Sequence, residues 1–149
     1  MEISKILFPT DLSDSSSAAL SYAADLASRY GAKVYVVHVL YDIGRSSGWY
    51  VPHMSTDELY EDMEKEARGL IHRMVAEGLR GHKDTEYVVL RGVPYEEIIR
   101  FSEANGVDLI VMSTHGRKGL DRVIFGGTSE KVVRESHCPV LTVRPPAGS

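Results

Sequence analysis

Apolar positions along this chain follow two rhythms that take turns: short unbroken runs, and longer stretches in which they recur at helical spacing. Ile3 to Pro9 reads as a first strand. Asp11-Leu12-Ser13-Asp14 then offers cap residues to a helix whose apolar positions Ala19, Ala23, Leu26, Ala27 and Tyr30 keep one face until Gly31 stops it. Lys33 to Leu40 is a second strand, with the continuous apolar run of a strand covered on both faces. Ser55 and Glu58 form a capping box for a long amphipathic helix marked by Leu59, Met63, Ala67, Leu70, Ile71 and Met74, ending near Gly78. Glu86 to Leu90 is a third strand. Pro94 suits a first helical position, Tyr95, Ile98 and Ile99 share a face, and Asn105-Gly106 ends that helix. Val107 to Met112 is a fourth strand, Thr128 to about His137 a last helix, and Val140 to Val143 a final short strand after Pro139. Strands alternating with helices predict an α/β fold on a mostly parallel sheet, with five strands and four main helices.

One connection is long: Tyr41 to Met54 is irregular and holds Gly44, Gly48, Trp49 and Pro52. Connections of this length carry function or mobility, and Trp49 with Tyr50 would serve to cover a ligand or a partner chain. Composition narrows the class. With 149 residues, 43% hydrophobic and 26% charged, the chain suits a single domain over residues 1–145 with an unstructured tail at 146–149. The formal net charge of −4 argues against a general nucleic-acid or anionic-membrane binder, which needs a basic footprint. Cys138 is the only cysteine, so no internal disulfide forms. The N-terminal apolar run Ile6-Leu7-Phe8 is too short for a signal segment, and the expected location is cytoplasmic.

Chemistry concentrates in Ser113 to Ser129, STHGRKGLDRVIFGGTS, which follows the fourth strand and leads into a helix. Glycine lets the backbone approach an anion, and unpaired N–H groups at a helix start favour negative charge. A second unusual strand end is Pro9-Thr10-Asp11, where a carboxylate and a hydroxyl suit a sugar or a base edge. Parallel sheets bind ligands beyond the carboxyl ends of strands where the winding reverses. If these two strands are neighbours there, one crevice pairs a sugar-reading acid with a phosphate cradle, which is a nucleotide site. Asp11 also has a plainer reading as a helix cap, His115 as a solvent-facing loop residue, and Arg117, Lys118 and Arg122 as a solvated basic turn. His38, inside an apolar strand, reads as a satisfied core residue. The other histidines lack metal-ligand spacing, and neither a structural metal nor a catalytic residue is expected. Cys138 reads as helix-end packing rather than a nucleophile.

At these residues the chain resembles the universal stress protein family over essentially its whole length, from Ile6-Leu7-Phe8-Pro9-Thr10-Asp11 through His38-Val39 to Cys138-Pro139-Val140-Leu141. Nucleotide-binding members have Gly, two residues, Gly, nine residues, then Gly and Ser or Thr, and here that register falls on Ser113, Gly116, Gly126 and Gly127. The resemblance implies a Rossmann-like sheet of order 3-2-1-4-5 with helices on both faces, ATP between the first and fourth strands, Mg²⁺ carried with the nucleotide, and a homodimer through the fifth. It places Pro9, Thr10, Asp11 and Val39 around adenosine. Met112, Ser113, His115 and Gly116 would line the ribose and inner phosphates, and Gly126, Gly127, Thr128 and Ser129 the outer phosphates.

Two positions depart from the pattern. Ser113 replaces a glycine, which costs roughly 1–2 kcal/mol if a positive φ is required there. Gly127 lacks the hydroxyl of Ser or Thr, a loss of about 1.5–3 kcal/mol for one hydrogen bond to a charged partner. The sequence therefore predicts a weakened ATP-binding regulatory or adaptor module. A nucleotide-independent dimerisation module with a vestigial pocket is the alternative. A slow ATP hydrolase ranks below both, because no general base stands beside the glycine segment and its ending is not Gly-Lys-Ser/Thr.

Overall fold

A computed structural model describes residues 1–42, 56–114 and 127–146. In chain order its elements are β1 (Lys5–Pro9), α1 (Asp14–Tyr30), β2 (Lys33–Tyr41), α2 (Thr56–Gly78), β3 (Thr85–Gly92), α3 (Pro94–Ala104), β4 (Leu109–Ser113), α4 (Gly127–Glu135) and β5 (Val140–Val143). All strand pairings are parallel, in the order β3-β2-β1-β4-β5. This is the order the resemblance implies.

Because successive side chains of a strand point to opposite faces, the inner strands supply two cores. Ile6, Phe8, Val34, Val36 and Val111 pack with Ala19, Leu20 and Ala23 of α1 and Ile71 and Val75 of α2. Leu7, Tyr35, Val37, Ile110 and Met112 pack on the other face with Ile98 of α3 and Val132 of α4. Burial on both faces is why β1, β2 and β4 read as unbroken apolar runs. The ends of α1 are set locally. Ser13 caps it by accepting from the Ser16 amide, and Gly31 closes it at φ 64° in the left-handed region.

Several expected boundaries shift. β1 begins at Lys5 rather than Ile3, because Ser4 and Lys5 donate their amides to the Asp108 carboxylate instead of continuing a ladder. The same carboxylate holds residues 107–108 outside β4, which starts at Leu109. β2 runs to Tyr41, one residue into the long connection, and α4 stops at Glu135, where the Ser136 hydroxyl accepts the Cys138 amide. Leu59 and Met63, read as part of the inward stripe of α2, are 43% and 37% exposed. The buried face of that helix starts at Ala67, beyond which it lies against the sheet and α1. Ser55 and the Trp49–Tyr50 pair lie outside the described residues, as do 147–149.

Candidate functional site

The winding reverses between β1 and β4. From β1 the chain passes through α1 on one face to β2, and from β4 through α4 on the opposite face to β5. The two strands share a seam that is closed at one end and open at the other. At the closed end the Asp108 carboxylate accepts from the Ser4 and Lys5 amides at 2.8 and 2.9 Å, the Asp108 amide donates to the Lys5 carbonyl, and Lys5 Nζ donates to the Asn105 carbonyl. Pairing then runs through Ile6–Leu109 and Leu7–Ile110. There it ends, although β1 stays paired with β2 as far as Pro9–Val37 and β4 with β5 as far as Ser113–Val143. The carboxyl ends of β1 and β4 therefore have their ladder partners on their outer sides, and the gap between them is the crevice.

On the β1 side the chain turns sharply at Thr10-Asp11-Leu12-Ser13. Thr10 is 6% exposed, and its hydroxyl is spent inside the protein. It accepts the Leu12 amide at 3.0 Å and lies 2.7 Å from Ser16 Oγ, whose own proton goes to the Ser13 carbonyl at 2.8 Å. That leaves the Thr10 proton to Ser16 Oγ or to Met74 Sδ of α2 at 3.7 Å. The Thr10 hydroxyl, expected to meet a sugar or a base edge, has its bonds on the α1 and α2 side. Asp11 is not the helix cap; Ser13 is. One Asp11 oxygen accepts both the Ser13 amide and the Ser13 hydroxyl, which props the cap in place. The other has no hydrogen bond among the described residues and is the acceptor this turn leaves unused. Leu12 has φ 67°, the one positive value among described non-glycine residues. Val39, the fourth residue expected here, is half-buried on the α3 side of β2.

On the β4 side the frame is main chain. Met112, Ser113 and Thr114 are buried, and the Thr114 amide donates to the Val143 carbonyl at 3.0 Å. Ser113 is ordinary strand without positive φ, so the strain attached to replacing glycine there does not arise. α4 starts at Gly127, with Thr128 half-buried and Ser129 buried. A Cβ added at Gly127 meets nothing within 4 Å, so this glycine is not required by packing among the described residues. His115, Gly116 and Gly126 lie outside the described residues, as do Arg117, Lys118 and Arg122. Thus Pro9, Asp11, Met112 and Ser113 lie at the strand ends where the β1–β4 ladder stops, with the Thr10 hydroxyl turned into the protein.

Two contributors escaped the sequence reading. Ser16, 3% exposed, was an unremarked member of a serine run. His38 was read as core, and its Nδ1 reaches across to the Thr10 carbonyl at 2.8 Å. A lone imidazole in an otherwise apolar strand was the available signal.

A doubly wound parallel sheet whose winding reverses between β1 and β4 defines an α/β domain of the Rossmann-like class. The chain belongs to the universal stress protein family, whose model matches residues 2–144. It is 37% identical to universal stress protein MJ0531 of Methanocaldococcus jannaschii over 95% of this chain and 82% of that protein. The solved structure of MJ0577 from the same organism superposes with a TM-score of 0.87 at 28% identity, covering 99% of this chain and all of that one. A universal stress protein from Archaeoglobus fulgidus, solved in complex with dAMP, shares the fold at 24% identity and a TM-score of 0.67, over 95% of this chain and 98% of its own. Among the described residues no helix is long and apolar enough to cross a membrane.

Proposed function

We propose that this protein is an adenine-nucleotide-binding regulatory module that takes ATP into the β1–β4 crevice and acts as a cytoplasmic homodimer. The observation that carries the reading is the early end of the β1–β4 ladder at Leu7–Ile110, next to a turn that leaves one carboxylate oxygen of Asp11 without a hydrogen bond among the described residues; the start of α4 is proposed as the other side of the site. A carboxylate accepts from hydroxyl or amino groups of a nucleoside, and the first amides of a helix suit phosphate. In this reading Mg²⁺ arrives on the phosphates rather than on a protein ligand set. ATP would tie the end of β4 to the start of α4 and favour the ordered state of that region, by binding that state better.

Pairing of subunits is proposed through β5. The sheet has two edge strands, and they differ: β3 carries Glu86, ion-paired to Lys33, and Arg91, whereas Val140-Leu141-Thr142-Val143 carries no charge. Charged side chains protect an edge, and an uncharged short edge accepts an antiparallel copy of itself in an isologous dimer. Sedimentation is expected to give twice the 16.5 kDa chain mass.

The direct test is calorimetry with ATP·Mg, together with mass spectrometry of denatured, freshly purified protein for retained ATP or ADP. Measurable binding supports the reading. No binding at millimolar ATP would replace it with the nucleotide-independent dimerisation module. Gly126→Asp should place a carboxylate against the phosphates and remove binding while leaving the dimer intact.

A further inference from the structure

We propose that His38 is a positioning residue for Asp11, and through it sets how tightly the nucleoside half of the ligand is held. The inference rests on the nucleotide reading above and adds a residue outside its contact set. The Thr10 amide still donates to the Val37 carbonyl at 2.9 Å, as the last rung between β1 and β2. The Thr10 carbonyl does not continue the ladder; it takes the His38 imidazole at 2.8 Å. A carbonyl can only accept, so Nδ1 carries the proton, and the side chain stands in for the next rung. This lets the chain leave the sheet at Asp11 without stranding a main-chain acceptor. Apart from a long 3.7 Å contact of the Thr10 hydroxyl with Met74 Sδ of α2, the other side-chain bonds in the turn are local: Leu12 amide to Thr10 hydroxyl, Thr10 hydroxyl to Ser16, Ser13 amide and hydroxyl to Asp11. The His38 bond joins residues 28 apart in sequence and, with the Thr10 amide, anchors the turn to β2. Losing it frees the peptide between Thr10 and Asp11 to rotate, and with it the direction of the carboxylate.

The test is a double-mutant cycle read by calorimetry with adenosine and ATP·Mg as probes. His38→Leu is expected to weaken both probes by the same factor, about tenfold, since one hydrogen bond's worth of orientation is lost on the nucleoside side. In an Asp11→Ala background the same change should alter affinity by less than about twofold, because the group it orients is gone. His38→Asn, whose amide nitrogen lies near the place of Nδ1, should restore affinity to within about threefold. In the unmodified protein, nitrogen-proton correlation spectra should show the His38 proton on Nδ1, a readout that needs no variant to fold.

Equal losses in both Asp11 backgrounds would reduce His38 to a structural residue and overturn the inference, as would a proton found only on Nε2. Unchanged affinity in His38→Leu overturns it while leaving the nucleotide reading intact. If the unmodified protein binds neither probe at millimolar concentration, the nucleotide reading itself fails and the inference falls with it.

Discussion

The two ends of the β1–β4 seam are built from the same two strands and do opposite things. At the Asp108 end one carboxylate gathers the amides of Ser4 and Lys5 and draws the strands together. At the Asp11 end a second carboxylate also gathers a neighbouring amide and hydroxyl, both from Ser13, but bends one strand away from the other. What differs is where the accepted protons come from. Asp108 reaches across to the neighbouring strand, so its bonds close the seam; Asp11 reaches forward along its own chain, so its bonds make a turn and leave an oxygen over. The same residue type therefore serves cohesion at one end and exposes an acceptor at the other. Ligands of parallel sheets are met at carboxyl ends for this reason: there the chain must leave the sheet, and side chains rather than ladder partners fix its course.

This contrast is open to a direct dissociation. The largest effect is expected from Asp108→Ala, which strips two charge-assisted hydrogen bonds, both to one carboxylate oxygen, from the closed end and should cost about 2–3 kcal/mol in denaturant unfolding. ATP affinity of the folded variant should stay within about threefold. Asp11→Ala should do the reverse, lowering ATP affinity by roughly ten- to a hundredfold in calorimetry while costing under about 1 kcal/mol of stability. If both variants lose stability and affinity together, the two ends are not separable and the contrast is wrong. Ser16→Ala leaves the buried Thr10 hydroxyl only the long contact with Met74 Sδ, and an unfolding loss of about 1–2 kcal/mol is expected, with a smaller loss of affinity. The smallest effect belongs to Gly127→Ser. Room for the side chain is present, and restoring a hydroxyl at the start of α4 should tighten ATP by up to about tenfold. No gain would mean that the phosphates lie elsewhere.

Much of this was legible because the strands are covered on both faces. Val34 to Val37 and Leu109 to Met112 are buried from both sides, so their apolar runs had no other reading, and the sheet order followed from the family resemblance. Boundaries moved where long-range bonds decide them, as Asp108 does for both β1 and β4. Leu59 and Met63 were placed inward because helical spacing gives a stripe but not the length over which another element covers it. At the site, the strand ends and Asp11 were evident from residue type alone. The inward turn of the Thr10 hydroxyl was not, since it depends on Ser16 six residues on and on a carbonyl bond from another strand. The concern over Ser113 dissolved because the first position of the glycine pattern falls inside β4, where the backbone does not require a positive φ.

Leu12 gives the turn its remaining character. Its left-handed backbone, at φ 67°, is a conformation that an unfolded chain rarely visits at leucine, and it is held here because the side chain packs against the α1–α2 core while the amide is bonded to Thr10. The disfavoured angle is thus selected when the core forms, before any ligand is present. A molecule arriving at Asp11 would meet a carboxylate whose direction is already chosen, so little of its binding free energy would be diverted into ordering the protein.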